Sequence, residues 1–433
     1  MKIKFKIYFL VFVATLVGCE DNLQVENPNA PTPDVFFQDA EDAVTSVNAV
    51  YSRFNNTSIS RHLPWLGNLR SDEMSSKSPA IHMVNNYDLF AISDYNYWQF
   101  SNIWSNLYVL IYRANQTLEN VPAIEVDNEE DEELIQRVLG EASFIRGWAY
   151  YNLALYWGNV PVLTRPSVPE DKPSSTPQDQ VFQQAISDFE FAFERLWTKD
   201  DYMQINTDEN LGRATKGAAK AMLGKVYMQL GDFESALNEL EWLTEEEGAS
   251  YYSLVSNYRD NFLSFTENNS ESIFENQCKN NPSENHGNDI IRPDQFNYGN
   301  SSPKFYAPRT DGIGFADLEV NEWVLNEFLE EQTTSGERDP RVTASFMYKN
   351  MHVDGPAATV AYGRTWISRF PNTTGEGHNR ISLRKWLNDE TQNFENFSSP
   401  NNWRIIRYAD VLLMYAECLN QVNRTNDAYQ WVN

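Results

Sequence analysis

Arg407-Tyr408-Ala409-Asp410-Val411-Leu412-Leu413-Met414-Tyr415-Ala416-Glu417, running on into Cys418-Leu419-Asn420-Gln421, is the stretch that decides the fold of this chain. Tyr408, Leu412, Tyr415 and Leu419 recur at i, i+4, i+7 and i+11, which places them on one apolar stripe of an α-helix. Ala409 and Ala416 flank that stripe and let a neighbouring helix come close. Cys418 lies beside it and reads as a small buried hydrophobe.

The same periodicity recurs upstream. Asp34 to Phe54 reads as a helix, with Asp39 or Asp42 as its cap and Ala43, Val47, Val50 and Phe54 on one face. Asn96 to Asn120 carries Ile103, Leu107, Leu110 and Ala114 on a stripe. Glu141 to Trp157 is helical and closed by Gly158, with Pro161 just beyond. Pro166 to Pro177 is a proline-rich connector, and Gln178 to Trp197 is the helix after it. Arg213 to Leu230, the Gly231-Asp232 turn and Phe233 to Thr244 form the clearest pair. Ala221, Gly224 and Tyr227 opposite Ala236 give it a tetratricopeptide-like texture. With no fixed repeat length elsewhere, the expectation is a mainly α fold, an irregular α-solenoid.

From Ser250 to Ser399 the texture changes to Asn, Gly, Pro and Ser. Short extended runs such as Ser272 to Gln277 appear there, and Glu319 to Glu331 is the one clear helix. Helical texture is expected to return at Trp403. A loop-rich insertion of this length in a helical body is usually functional. Pro64 to Ser78 is expected to be a loop region.

The start of the chain reads as a lipoprotein signal. Lys2, Lys4 and Lys6 precede an apolar run, Ile7 to Val17, that is shorter than the roughly 20 residues needed to cross a bilayer. It ends in Leu16-Val17-Gly18-Cys19, similar to a lipobox, in which the Cys19 thiol would accept the lipid. More than one acyl chain on that residue would anchor the protein stably. The expected organisation is a signal peptide over 1–18, a lipidated tether over 19–33 and a helical scaffold over 34–249. A loop-rich insertion over 250–400 and a helical segment over 401–433 follow.

Composition narrows the function classes. The 433 residues carry 34 Lys and Arg against 61 Asp and Glu, a net charge of −27. A nucleic-acid binder needs clustered cations, so that class is disfavoured. Direct adhesion to anionic lipid is disfavoured too, which leaves the acyl anchor as the membrane link. Acidic polysaccharides are also mildly disfavoured unless a local basic pocket or a bound cation offsets the field. The five histidines (His62, His82, His286, His352 and His378) show no metal-ligand spacing, and no nucleophile elbow or phosphate loop occurs, so no metal, cofactor or catalytic set is expected. Asp127 to Glu133 reads as a solvated loop and helix start.

The terminal stretch closely resembles the hallmark of the SusD/RagB family of Bacteroidetes surface lipoproteins. Glu141-Ala142-Ser143-Phe144-Ile145-Arg146 with Gly158-Asn159-Val160-Pro161, then Arg338-Asp339-Pro340-Arg341 and Lys385-Trp386, resemble further family segments in the expected order. Glu20-Asp21 after the lipobox is similar to the acidic tags that direct such lipoproteins to the cell exterior. The resemblance implies helical hairpins carrying a variable, glycan-binding subdomain. It also implies a SusC-like TonB-dependent outer-membrane barrel as partner. Relative to the family, the chain looks truncated at Trp431-Val432-Asn433.

A sugar ring offers one apolar C–H face to an aromatic plane and a rim of hydroxyls to planar polar groups. Exposed aromatics beside such groups are therefore the candidates: Tyr95, Tyr97, Trp98 and Gln99 in one loop, and Arg70, Asp72 and Glu73 in another. Within the insertion the candidates are Phe296, Tyr298, Tyr306 and Trp366. Trp104, Trp148 and Trp323 fall on helical stripes and are expected in the core. Two other classes compete with a non-catalytic glycan binder: a surface glycoside hydrolase and a helical-repeat scaffold for protein partners.

Overall fold

The computed structural model describes residues 32–76, 82–91, 97–205, 210–280, 298–310, 312–348, 360–365, 368 and 380–432. The mainly α, tetratricopeptide-like architecture is present. Helices Trp98–Asn120, Glu129–Trp157, Gln178–Arg195, Lys216–Leu230, Phe233–Thr244, Tyr408–Gln421 and Thr425–Val432 each pack on the next. Ala40–Tyr51 lies across the first two of them.

Local chemistry sets the ends of these helices. The side chains of Asp39, Asn128, Thr215 and Asp232 each accept a backbone N–H three residues on, satisfying a donor that the helix leaves free. Gly231 ends Lys216–Leu230 in the left-handed conformation, at φ 74°. Gly224 explains how tightly the clearest pair meets: a Cβ there would stand 2.5 Å from Cδ2 of Leu240. The Glu129–Trp157 helix starts twelve residues before the segment expected from its apolar stripe, because the acidic run favours a helix N-terminus.

Two apolar cores result. The larger fills the helical stack and takes in Tyr252, Ile273, Phe274 and Ile406. The smaller gathers Phe305, Tyr306, Leu318, Val342, Phe346 and Leu387 around Trp65, Leu69 and Met74. The cores thus interleave across the expected 249/250 boundary. Four antiparallel two-stranded pairings stitch this region: Met74–Ser76 with Leu318–Val320, Ser272–Asn276 with Trp403–Arg407, Phe346–Met347 with Ser382–Leu383, and Val360–Ala361 with Arg364–Thr365.

Three expectations are corrected. Pro64 to Ser78 is not a loop: it holds the helix Leu63–Arg70 and the strand Met74–Ser76, since Pro is compatible with the first turn of a helix. Trp403 opens a strand, with Arg404 and Ile406 buried, and the helix begins only at Tyr408. On that helix Tyr408, Tyr415 and Leu419 are buried as their stripe requires, but Leu412 is only half-buried, while Val411 and Met414 are buried.

Candidate functional site

The site is assembled by four short segments, 58–76, 82–90, 97–100 and 321–323, that meet where the helical stack adjoins the smaller core. The first is Leu63–Arg70, which follows a π-turn, Ser58–His62, whose five residues are all buried. Such turns are rare and often mark functional positions. Burial, with a smaller contribution from the adjacent Arg61 cation, holds His62 well below its usual pKa and therefore neutral. Its ring nitrogen stands 2.8 Å from Nη2 of Arg61, and its ring edge supports Trp98, with centroids 5.4 Å apart.

Trp98 opens the long helix Trp98–Asn120 and is 39% exposed. From it runs a chain of ring contacts: Trp98 to Tyr97 at 5.9 Å, Tyr97 to Phe100 at 5.9 Å and Phe100 to Tyr87 at 5.1 Å. Tyr87 then lies 3.9 Å from the guanidinium carbon of Arg70, and Phe90 lies 4.0 Å from the same carbon. Phe90 is 71% exposed, and Leu89 beside it is exposed as well. Aromatic faces and a guanidinium thus form one continuous surface, not a set of isolated rings.

Asp72 links this surface to a further ring. Its backbone carbonyl accepts Nε1 of Trp323 at 2.9 Å and Nδ2 of Asn321 at 2.7 Å, while the Glu73 carbonyl accepts the Asn321 N–H at 2.8 Å. Both carboxylates stay exposed. Ser76 N–H donates to Oδ2 of Asp88 at 3.2 Å, tying the strand to the end of the helix that carries Tyr87.

The structure therefore brings together Arg70, Asp72, Glu73, Tyr97 and Trp98 of the expected residues, and adds Tyr87, Phe90 and Trp323. Trp323 was expected in the core; it is 50% exposed. It is the second residue of Glu322–Glu330, a nine-residue helix in which Val324 and Leu325 alone are buried. Tyr87 and Phe90 carry no periodic signal, and only the pairing across Arg70 singles them out.

Two candidates are corrected. Gln99 is buried, at 4% exposure, with its side chain among His62, Trp65, Leu69 and Tyr87 beneath the aromatic surface. Tyr306 is buried at 2%, because its short helix packs inward and its hydroxyl accepts Nδ2 of Asn68 at 3.0 Å. Tyr298 is 45% exposed, but among the described residues no ring contact joins it to the run. Tyr95, Phe296, Trp366 and the lipidation candidate Cys19 lie outside the described residues.

Chemically the surface can stack flat apolar faces and offer planar polar groups beside them. Among the described residues no three His, Cys, Asp or Glu side chains converge on a possible metal position. Burial pushes the carboxyls of Glu267 up to about 8 and of Glu395 up to about 7. Both are held by internal partners, Glu267 by the Asn402 N–H and Glu395 by Asn388 and Tyr362, and neither belongs to this surface. No helix among the described residues is long and apolar enough to cross a membrane.

Fold and surface together define a helical-repeat protein with an aromatic, hydrogen-bonding face where the helical stack adjoins the smaller core. Residues 270–433 match the sequence profile of the SusD family, and residues 21–228 match one described as starch-binding, associating with the outer membrane. The chain belongs to the SusD/RagB family. It is 28% identical to SusD-like protein P25 of Formosa agariphila over all of this chain and 81% of that protein. SusD-like protein P38 of the same organism is 27% identical over 99% of this chain and 81% of its own length. Among solved structures, a SusD superfamily protein from Bacteroides vulgatus superposes with a TM-score of 0.73 at 25% identity, over 92% of this chain and 79% of that one. A laminarin-binding SusD-like protein superposes with a TM-score of 0.68 at 24% identity, over 90% of this chain and 84% of that one.

Proposed function

We propose that this protein is a non-catalytic, lipid-anchored glycan binder of the cell surface. It captures an oligo- or polysaccharide and delivers it to a SusC-like TonB-dependent outer-membrane transporter. The observation that carries the reading is the continuous, partly exposed run Trp98–Tyr97–Phe100–Tyr87–Arg70–Phe90, with Trp323 held beside it by Asp72. Several rings in one surface can hold successive sugars of a chain, whereas an apolar core would hide them. Family membership, and the laminarin named for one structural neighbour, support the ligand class. The outer-membrane association in the profile's description supports the location.

Native affinity gels across plant, algal and host polysaccharides, laminarin included, test this. The wild type should be retarded by at least one, and Trp98→Ala with Trp323→Ala should move freely in the same gel. Release of reducing ends by the purified protein would instead make it a glycoside hydrolase, and retention by no polysaccharide would leave the protein-scaffold reading. Cys19→Ala should abolish labelling with palmitate; equal labelling of wild type and variant would remove the anchor from the proposal. Co-purification of a barrel protein with the tagged wild type from outer membranes tests the transporter, and its absence would remove that step.

A further inference from the structure

We infer that the glycan bound at this surface is acidic, carrying a carboxylate or a sulfate ester that Arg70 grips. The inference rests on the glycan-binding reading above and adds the ligand's charge to it. Arg70 closes the helix Leu63–Arg70 and is half-buried. Its guanidinium carbon is 3.9 Å from the Tyr87 ring centroid and 4.0 Å from that of Phe90. Tyr87 also pairs with Phe100 at 5.1 Å, so the Arg70 guanidinium joins Phe90 to the run of rings. Contact over a ring face engages the charge of a guanidinium without using up its N–H donors.

Among the described residues, no hydrogen-bond acceptor of the protein meets those N–H donors. Several other arginines of this acidic chain meet carboxylates, as Arg146 meets Asp188 and Arg384 meets Asp389. Among the described residues, Arg70 meets no carboxylate and no carbonyl. Of the adjacent acids, Asp88 accepts the Ser76 N–H, while Asp72 and Glu73 hold Asn321 and Trp323 through their backbone carbonyls and leave their carboxylates exposed.

Phe90 makes the arrangement specific. It adopts φ 56°, a left-handed backbone that a bulky residue rarely takes, while remaining 71% exposed. Neither burial nor a turn glycine accounts for an aromatic side chain at that point. What it does there is clamp Arg70. A planar guanidinium held against two rings can offer two parallel N–H donors to a carboxylate or sulfate, with less rotamer freedom left to lose on binding. The chain's charge of −27 would repel acidic polymers elsewhere, so this local cation would set the register of the chain on the surface.

Matched polysaccharide pairs in native affinity gels test the charge. Polygalacturonate against its carboxyl-reduced form probes the carboxylate, and carrageenan against its desulfated form probes the sulfate ester. The wild type should be retarded more by the acidic member of one pair, and the pair that responds identifies the group. The preference should weaken as salt is raised. Arg70→Gln should reduce affinity for that acidic polymer about 10- to 100-fold, the loss expected for hydrogen bonds to a charged group, and should erase the preference. Arg70→Lys, which keeps the charge without the fork, should recover only part of it. Equal or stronger retardation by the neutral members, or a preference that survives in Arg70→Gln, overturns the inference. Retention by laminarin or starch with none by the acidic polymers also overturns it while leaving glycan binding intact; retention by none of these defeats both.

Discussion

The helical stack and the loop-rich region around the smaller core are held together by different physics. In the stack, Leu107, Leu110, Phe144, Phe189 and Leu240 are fully buried and interdigitate, and Phe144 meets both Phe189 and Phe274. The loop-rich region leans on a buried ionic knot. Arg259 pairs with Asp389 at 2.8 Å and Glu390 at 3.0 Å and donates to the carbonyls of Ala344, Arg384 and Leu387. Arg384 closes the same knot on Asp389 at 2.7 Å. An apolar stack tolerates changes in its exposed loops, whereas a knot of this kind fixes several chain segments at one point. The aromatic surface sits where the two regimes adjoin, rigid below and built from short segments above.

That contrast can be broken experimentally, and the largest effect should come from the knot. Arg259→Ala takes one of the two guanidiniums off the buried Asp389 and leaves the Ala344, Arg384 and Leu387 carbonyls without that donor, a break in a buried ionic network that should cost about 3–5 kcal/mol. A thermal melt should fall sharply, with proteolysis beginning within 250–400; a melt within error of wild type would show that the knot is dispensable. In the stack, Leu240→Ala opens a cavity against Gly224 and should cost about 2–5 kcal/mol, lowering the same melt without early cleavage in the insertion.

At the surface the two regimes should separate. Trp98→Ala should weaken glycan binding by about 1–3 kcal/mol, by analogy with truncated interface aromatics, and leave the melt nearly unmoved. Calorimetry with a ligand found in the gels reads the first quantity. A large fall in the melt would instead assign the ring to the fold through its contact with His62.

The smallest effect is one of pH. Burial raises the Glu395 carboxyl from its ordinary 4.5 to about 7, so the folded protein holds that proton more tightly than the unfolded chain does. Stability from this group is therefore present at low pH and declines as pH rises from about 4.5 to about 7. Glu267, raised to about 8, acts in the same direction and extends the window upward. Glu395→Gln should flatten the decline of the melting temperature across that interval; an unchanged slope would show that Glu395 does not titrate there.

The sequence by itself determined the helical stack and the family. Periods of 3.6 residues, capping side chains and turn glycines act over one or two turns, so Asp39, Gly231 and the Tyr408, Tyr415 and Leu419 stripe were legible without a structure. It also marked Trp98, Tyr97, Arg70 and Asp72 as candidates from their aromatic and polar neighbourhoods. Only the tertiary structure decided the rest. Tyr306 and Gln99 have the same local texture as exposed residues, yet their burial depends on what packs over them. Trp323 sits on a helical pattern, yet only the Asp72 carbonyl, distant in the chain, explains its place at the surface. Phe90 and Tyr87 have no meaning until Arg70 meets both rings. Local free-energy preferences are written in neighbouring residues; which distant groups share a surface is settled by packing, which no short window of sequence contains.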